Sequence, residues 1–385
     1  MSSDAPVIVV GAGMAGLACA QRLARAGVEV VVLEAADAVG GRIRTDVVDG
    51  YRCDRGFQLL NPAYPVLPHV LDDGLAALDL RPFQAGVVVG HGRTRSVLAD
   101  PRREPSYAVA SLRAPLGTLA DALDDAGVTG RLRTGVVDPF LAGVLAEYGG
   151  SSSAHLGRLL IRSFVLGSPA VPSVGMGRLP EVVAASLPAG TVRLGTPVHA
   201  VRGTSVRTDE GELAASAVVV ATDPTTAGRL TGLDVPAMKA LTTFWHTTDE
   251  PPSRRPLLHL DADHRGPLVN TAVMTAAAPT YAPAGRSLVQ TTVLGADGST
   301  AAERAAREQA GLVYGVGTDR WELVTTHVVA AALPAQPPPL NVRQPVALGD
   351  GLFVAGDHRD TASTQGALVS GRRAASAVLA ARPAP

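Results

Sequence analysis

The sequence of 385 residues predicts an α/β protein with two parts: a domain built on a parallel sheet and a second region of the α+β class. Two observations lead to this prediction. The short β-branched run Val7–Val10 has no polar position, as a strand buried on both faces of a parallel sheet requires. A second apolar run, at residues 352–355, is likewise followed by a glycine and then by a helical pattern. Strands that alternate with helices in this way indicate βαβ units.

A complete βαβ unit begins at the first of these strands. Gly11, Gly13 and Gly16 have the spacing Gly-x-Gly-x-x-Gly, and a helical pattern over residues 17–26 leads to a second strand that ends at Glu34. The first glycine permits a tight turn, the second lets the backbone approach a pyrophosphate, and the third lets helix and strand pack closely. The helix start favours phosphates, and the carboxylate can accept hydrogen bonds from ribose hydroxyls. The unit predicts a Rossmann-type dinucleotide-binding domain.

Two further motifs follow this unit. Six residues after Glu34 the chain reads Gly-Gly-Arg, which includes Gly41 and Arg42, and an Asp-x-Gly segment follows with Asp54 and Gly56. Together with the βαβ unit, these motifs resemble the flavin-containing amine oxidase superfamily, which includes protoporphyrinogen oxidases and phytoene desaturases. In that superfamily the Gly-Gly-Arg turn lies over the pyrophosphate, and the segment after Asp-x-Gly passes beside the flavin ring. The resemblance therefore implies FAD as the cofactor.

The resemblance returns in the middle and at the end of the chain. Residues 175–180 resemble the glycine-rich loop of the superfamily, and Val198 lies where a backbone contact closes over the adenine. Asp357, after the last strand, corresponds to the aspartate that binds the ribityl or phosphate part of FAD. The helix that opens at residues 364–367 would point its positive dipole at the flavin. The cofactor-binding positions that the resemblance implies are Gly11, Gly13, Met14, Ala15, Gly16, Glu34, Ala35, Gly41, Arg42, Gly56, Phe57, Gln58, Leu59, Val198, Gly356, Asp357, Thr364, Gln365 and Ala367.

Because the FAD motifs are scattered, the cofactor domain must be discontinuous. We assign residues 1–75, 186–235 and 336–385 to the FAD-binding domain, and residues 76–185 and 236–335 to a substrate-binding domain. The second domain begins with a hairpin and continues with helices and then with alternating apolar runs. These patterns predict an α+β domain whose mixed or antiparallel sheet has helices on one side and covers the flavin.

Three features typical of amine oxidases in the superfamily are missing from the positions where they are expected. The aromatic cage residue before the last helix is replaced by residues 362–364, which contain no aromatic side chain. The lysine near the flavin corresponds to Thr243, and the only lysine of the chain, Lys239, lies upstream. Cys19 and Cys53 are both far from the C-terminal region where some members tether the flavin. These differences favour noncovalent FAD and a substrate other than a simple amine.

The predicted function is that of an FAD-dependent oxidoreductase, an oxidase, dehydrogenase or desaturase. It would transfer a hydride from a small or medium-sized hydrophobic or carbocyclic metabolite to the flavin. His358 and Gln58 are the candidate catalytic residues: the histidine as a proton carrier or stabiliser of reduced flavin, the glutamine as a hydrogen-bonding group for flavin or substrate. Two alternatives stay open, a redox-neutral flavin-dependent isomerase or cyclase and a simple amine oxidase.

Composition limits the partners and the compartment. Lys and Arg total 34 and Asp and Glu 35, so the chain has no basic excess with which to neutralise a nucleic acid. No apolar run approaches the ~18 residues of a transmembrane helix, and the N-terminus lacks the pattern of a signal peptide. Two cysteines suit a reducing compartment. We expect a cytoplasmic enzyme with a small-molecule substrate, without stable membrane insertion and without a metal site, and the sequence does not indicate an oligomeric state.

Overall fold

The computed structural model describes residues 5–98 and 117–382. In chain order the strands are β1 Val7–Val10, β2 Val30–Leu33, β3 Thr45–Val48, β4 Tyr51–Asp54, β5 Leu80–Pro82, β6 Val87–His91, β7 Thr94–Leu98, β8 Ala170–Pro172, β9 Val192–Arg193, β10 Val198–Arg202, β11 Ser205–Thr208, β12 Gly211–Ala214, β13 Ala217–Val220, β14 Met238–Thr248, β15 Leu258–Asp261, β16 Leu268–Val273, β17 Ser287–Leu294, β18 Glu322–Pro334, β19 Ala347–Gly349 and β20 Leu352–Val354. The helices are α1 Met14–Arg25, α2 Leu119–Asp125, α3 Gly130–Leu132, α4 Asp138–Leu145, α5 Ala154–Leu166, α6 Arg178–Ala185, α7 Pro224–Thr231, α8 Met274–Ala277, α9 Thr300–Tyr314 and α10 Thr364–Ala381, and a π turn, Arg133–Val137, joins α3 to α4.

The predicted parallel sheet is present and has six strands in the order β19-β20-β13-β1-β2-β9. All its neighbours pair in parallel except β19 and β20, which are antiparallel. The central strand β1 is buried on both faces, which explains why its four residues are all apolar. Helices α1 and α10 pack together on one face of this sheet, so closely that a Cβ at Gly371 would lie 2.0 Å from the carbonyl oxygen of Ala15.

The second sheet has seven strands in the order β18-β14-β17-β16-β15-β6-β7. Its neighbours are antiparallel except β15 and β6, which run parallel, so the sheet is mixed. Helix α9 packs on one face, where Phe244, Val293 and Ala306 form a small apolar cluster, and α4 packs on the other face. The expectation of helices on one side only was therefore wrong, because the second helix layer is needed to enclose the cavity described below.

Two further features of the fold concern possible membrane spans and the origin of the sheet strands in the sequence. Within residues 5–98 and 117–382, no helix is both long enough and apolar enough to cross a membrane. The strands of the six-stranded sheet come from three separate stretches of the chain, since β1, β9 and β20 are far apart in sequence. The domain boundaries proposed from the sequence stay a prediction.

Candidate active site

One large cavity, of about 1110 Å³, collects residues from both regions of the fold. Binding sites for small molecules commonly enclose about 300–1,000 Å³, so this cavity has room for a ligand larger than an ordinary substrate. Its walls include the carboxyl ends of β1 and β2 and the starts of α1 and α10. Helices α2, α4 and α5 of the second region form other parts of the wall. The carboxyl ends of parallel strands are where α/β folds bind their ligands.

The glycine-rich turn between β1 and α1 forms a cradle open to this cavity. Gly11 has φ +102°, and a Cβ there would lie 2.8 Å from the carbonyl oxygen of Ala221. A Cβ at Gly16 would lie 1.9 Å from the carbonyl oxygen of Gly11, so this glycine is needed for the turn itself. A Cβ at Gly13 would meet nothing within 4 Å. The protein therefore tolerates a side chain at Gly13, and the space beside it remains available to a phosphate group at the start of α1.

Glu34 follows β2 and is held in place by two backbone donors. Its Oε2 accepts a hydrogen bond from the amide of Ala12 at 2.6 Å, and its Oε1 accepts one from the amide of Ala36 at 2.9 Å. Both Glu34 and Ala35 line the cavity. A carboxylate fixed in this way at the end of the second strand is suited to bind ribose hydroxyls, as the sequence predicts.

The Gly-Gly-Arg turn and the last strand meet through an ion pair. Arg42 Nη2 lies 2.7 Å from Asp357 Oδ1, and Arg42 Nη1 donates to the carbonyl oxygen of Ala332 at 2.8 Å. Burial alone would lower the pKa of Arg42, but the carboxylate of Asp357 raises that pKa above its ordinary value. Gln58 Nε2 donates to the carbonyl oxygen of Arg42 at 2.8 Å. The arginine is thus a permanent cation whose position is fixed from three directions.

The cavity lining includes most of the positions implied by the resemblance, and the structure places three predicted residues elsewhere. The positions on the lining are Gly11, Gly13, Met14, Ala15, Glu34, Ala35, Gly41, Arg42, Gly56, Phe57, Gln58, Leu59, Val198, Gly356, Asp357, Thr364 and Ala367. Gly16 lies behind the cradle, where it packs on Gly11. Gln365 turns its side chain away, and its Oε1 accepts a hydrogen bond from the amide of Val66 at 3.3 Å.

His358, the third such residue, is buried beside the cavity rather than on its lining. Its ring lies against Gly356, where a Cβ would come within 2.5 Å of Nδ1, and neither ring nitrogen has a hydrogen-bond partner among the described residues. Burial is the main reason that the pKa of His358 falls to about 4. The imidazole is therefore neutral at physiological pH, and its catalytic role stays a prediction.

The positions that distinguish amine oxidases have other roles in this structure. Ala362, Ser363 and Thr364 line the cavity, so no aromatic side chain stands at the cage position. Thr243 is not on the lining: it is buried with its hydroxyl 3.3 Å from that of Thr292. Leu241, two residues earlier on β14, is the residue that lines the cavity, where it lies beside Gly56.

The single lysine of the chain stabilises the second region and does not line the cavity. Lys239 Nζ lies 2.6 Å from Glu147 Oε2 and also donates to the carbonyl oxygen of Leu145 and to the hydroxyl of Ser152. Its side chain is 15% exposed. Every nearby acceptor belongs to the loop after α4 or to α4 itself, so the lysine ties β14 to that helix.

The other part of the lining is an apolar chamber contributed by α2, α3, α4, α5, the π turn and the loop between α2 and α3. We define it by the residues Leu119, Leu123, Val128, Leu132, Val136, Val137, Phe140, Leu141, Val144, Leu160, Ile161 and Phe164. Among the described lining residues, no charged side chain belongs to the chamber: the charged residues lie in the cofactor motifs, shortly after β13 or, in the case of Arg229, on α7. The π turn brings Val136 and Val137 into the chamber wall, and such turns are frequent at functional sites.

Two groups of lining residues were not predicted from the sequence. One follows β13, where Asp223 begins α7 by accepting a hydrogen bond from the amide of Thr226 at 3.0 Å, and Arg229 lies one turn further. A strand followed by Thr-Asp-Pro was the available signal for this group. The chamber residues form the other group. They gave no signal, because apolar residues at helical spacing indicate a buried face whether that face packs on protein or on a ligand.

The residues of the cofactor part fit FAD. Two helix starts, α1 and α10, reach the cavity, and anions are stabilised at such ends. A carboxylate is placed for a ribose, a permanent cation lies in the Gly-Gly-Arg turn, and the open position beside Gly13 leaves space for the pyrophosphate. Since both cysteines of the chain, Cys19 and Cys53, are buried and free, no thiol is placed to tether the flavin.

Comparisons with known proteins agree with this geometry. The family model described as flavin containing amine oxidoreductase matches residues 14–379. A hydroxyneurosporene desaturase of Rhodobacter capsulatus is 43% identical over 81 residues, which are 21% of this chain and 15% of the desaturase. The matches to the first three curated relatives span only 8% to 15% of those proteins' length.

Solved structures resemble the fold over almost its full length. A double variant of putrescine oxidase has a TM-score of 0.74 at 18% identity, covering 98% of this chain and 99% of the oxidase. An oxidoreductase from Methanosarcina mazei has a TM-score of 0.76 at 16% identity, covering 96% of this chain and 99% of that protein. Because the family model covers nearly the whole chain, the protein belongs to the flavin-containing amine oxidoreductase family.

Proposed function

We propose that this enzyme oxidises an apolar or carbocyclic substrate at a carbon–hydrogen bond, with noncovalently bound FAD as the acceptor. The observation that carries the proposal is the apolar chamber, which opens from the cofactor part of the same cavity. Burial of apolar surface stabilises a complex by roughly 25 cal/mol per Å². A chamber walled by leucine, valine and phenylalanine side chains therefore selects a ligand that is itself apolar.

The absence of charge from the chamber wall argues against a simple amine as substrate. Among the described residues, no carboxylate lines the chamber to bind an ammonium group, and residues 362–364 offer no aromatic face for a cation–π contact. An ammonium ion would lose its hydration there without a carboxylate to pair with, and contacts with Phe140 and Phe164 would offset only part of that cost. An uncharged substrate avoids this cost.

When bound, FAD supplies the redox chemistry by accepting a hydride. The residues of the chain hold the cofactor and position the substrate. The start of α1 and Gly13 would receive the pyrophosphate, Glu34 the ribose hydroxyls, and the Arg42–Asp357 pair the ribityl or phosphate part of the cofactor. Gln58 fixes the Arg42 turn through its amide nitrogen, so we propose a positioning role for it. The leucine, valine and phenylalanine side chains exclude water from the reacting carbon.

Anaerobic bleaching of the bound flavin tests the proposal. The holoenzyme is mixed without oxygen with two matched panels, one of uncharged cyclic and linear alkenes and alcohols, the other of primary amines and polyamines. We expect a member of the first panel to bleach the flavin absorption stoichiometrically, with no bleaching by the amines. Bleaching by amines alone would contradict the proposal and favour the amine oxidase alternative. Conversion of an apolar compound without net electron transfer would favour the redox-neutral alternative.

A further inference from the structure

A row of polar side chains crosses the seven-stranded sheet on the face that looks toward the cavity. It consists of Thr243 on β14, Thr292 and Gln290 on β17, and Asn270 on β16, and each is at most 3% exposed. Side chains alternate between the two faces of a strand, so these residues share one face while their neighbours pack under α9. Four buried polar side chains in line on one face of a sheet require an explanation.

Hydrogen bonds run along this row in one direction. The hydroxyls of Thr243 and Thr292 are 3.3 Å apart, and Thr292 Oγ1 donates to Gln290 Oε1 at 3.0 Å. Gln290 Nε2 in turn donates to Asn270 Oδ1 at 3.1 Å. The bond from Thr292 orients the amide of Gln290, and the bond from Gln290 orients the amide of Asn270. The oxygen of Asn270 therefore points along the row, and its Nδ2 points away from Gln290.

The Nδ2 group of Asn270 reaches the cavity next to α4. Asn270 and Gly143 both line the cavity, and a Cβ at Gly143 would lie 2.3 Å from Asn270 Nδ2. A glycine at this position of the helix is therefore what leaves room for the amide. Asn270 is only 3% exposed, and its Nδ2 has no hydrogen-bond partner among the described residues.

Two other polar side chains on the lining, those of Asn61 and Ser163, are already engaged. Asn61 Nδ2 donates to the carbonyl oxygen of Ser163, and Asn61 Oδ1 accepts from the amide of Ala63. The hydroxyl of Ser163 donates to the carbonyl oxygen of Leu159. Asn270 differs from these residues because a donor remains after its own oxygen is satisfied. This donor is open to the cavity, and once a ligand displaces water from it, a donor left without an acceptor is unfavourable, so a ligand that brings an acceptor is preferred.

We propose that Asn270 is a specificity-determining residue that donates a hydrogen bond to a neutral oxygen of the substrate. The substrate class is then an apolar molecule with one carbonyl or hydroxyl oxygen. A carboxylate or phosphate is not the expected group, because the described residues of the chamber provide no cation to pair with it. This inference rests on the proposed function, since it requires that the chamber hold the substrate.

Two probes of equal shape test the hydrogen bond directly: 2-acetylnaphthalene, which has a carbonyl oxygen, and 2-ethylnaphthalene, which has a methylene group instead. Dissociation constants for the holoenzyme are measured from the change in flavin absorption on titration. The ratio of the two constants is compared between the wild type and N270L. We expect the preference for the ketone to fall roughly tenfold in N270L while binding of the hydrocarbon is retained.

Matched variants keep the test decisive. N270D preserves the size of the side chain but replaces the amide donor with an acceptor, so the preference for the ketone over the hydrocarbon should fall in this variant too. It therefore tests the hydrogen bond even if N270L binds less FAD. V144A removes apolar contact from the chamber and should weaken both probes without changing their ratio. An unchanged ratio in N270L and N270D would overturn the role of Asn270 and leave the proposed function standing. Failure of both probes to bind the wild-type holoenzyme would overturn the proposed function as well.

Discussion

The cofactor part of the cavity and the apolar chamber are built from different kinds of atoms. The lining of the cofactor part includes the glycine turn, in which backbone atoms lie so close together that a side chain would not fit. The carbonyl oxygen of Gly11, for example, occupies the space that a Cβ of residue 16 would need. The charged side chains there are few, and hydrogen bonds hold them in place, as in the Arg42–Asp357 pair. The chamber is walled instead by apolar side chains on helices, and its amide donor Asn270 comes from the second sheet.

This difference explains why one part of the site is easy to recognise and the other is not. A backbone cradle needs particular residues at fixed spacing, because only glycine leaves the space that the turn requires. An apolar wall needs only total volume and shape, and many combinations of leucine, valine and phenylalanine supply them. We therefore expect cofactor binding to depend on the motif residues and substrate binding to depend on the packing of the chamber. A substitution in one part should change binding of one ligand and leave binding of the other unchanged.

A charge placed in the chamber should have the largest effect. Leu160 lines the chamber on α5, and in L160D an aspartate would be surrounded by apolar side chains without a partner. We expect the dissociation constant for 2-ethylnaphthalene to rise about 100-fold, with FAD content unchanged. The measurement is the same flavin titration.

R162D is the matched control, because Arg162 lies two residues further on the same helix and is exposed. It should leave binding of 2-ethylnaphthalene within about twofold of the wild type. Loss of FAD in L160D, with R162D normal, would show that the two parts of the cavity are not independent.

A methyl group in the cradle should act on the cofactor alone. In G13A the new Cβ meets no protein atom within 4 Å, so the fold is expected to persist, but the methyl group occupies space that the pyrophosphate needs. We expect affinity for FAD to fall roughly 10- to 100-fold, as measured by titration of the apoprotein. G16A is the contrasting variant: its Cβ would lie 1.9 Å from a carbonyl oxygen, so it should lower the unfolding temperature too. Normal FAD binding in G13A would contradict the proposed cradle.

Of the cofactor positions predicted from the sequence, all but two line the cavity, and the two exceptions have physical causes. Gly16 and Gln365 belong to the motifs but support the turn and the neighbouring backbone rather than line the cavity. Thr243 was placed by counting along the chain, but its buried hydroxyl lies next to that of Thr292 and Leu241 lines the cavity instead, which counting alone does not reveal. For Asn270 no local pattern exists, since its function depends on Gln290 from another strand.

The contact between the two regions should show in the pH dependence of stability. Asp54 is buried, and its carboxylate accepts hydrogen bonds from Thr45 at 2.5 Å, from the amide of Met176 at 2.9 Å and from the Tyr281 hydroxyl at 3.0 Å. Burial outweighs these bonds and raises the pKa of Asp54 to about 6. The folded state therefore binds the proton more tightly than the unfolded state, and its stability falls as the pH rises through 6.

D54N removes this titration and keeps the side chain's size. Relative to the wild type, its free energy of unfolding should increase by about 3 kcal/mol between pH 4 and pH 7.5. Urea denaturation of both proteins across this range measures the difference, in which titrations elsewhere cancel. A difference that stays constant with pH would show that the carboxyl group does not titrate in this window.

The smallest expected effect on catalysis belongs to the lysine. K239M leaves Glu147 without its partner, so we expect a lower free energy of unfolding, by about 1–3 kcal/mol. Because Lys239 does not line the cavity, the rate constant of flavin reduction by the substrate should stay within about twofold of the wild type. Stopped-flow reduction under anaerobic conditions measures it. A tenfold loss of rate with full FAD content would place the lysine in the reaction.

The visible absorption spectrum of the purified protein, recorded before and after heat denaturation, shows whether the protein binds FAD without a covalent link. We expect flavin bands that pass completely into the supernatant when the protein is denatured, since the cradle, Glu34 and the Arg42–Asp357 pair would hold FAD without a covalent bond. A colourless protein that takes up no added FAD, or colour that stays with the denatured chain, would contradict this expectation.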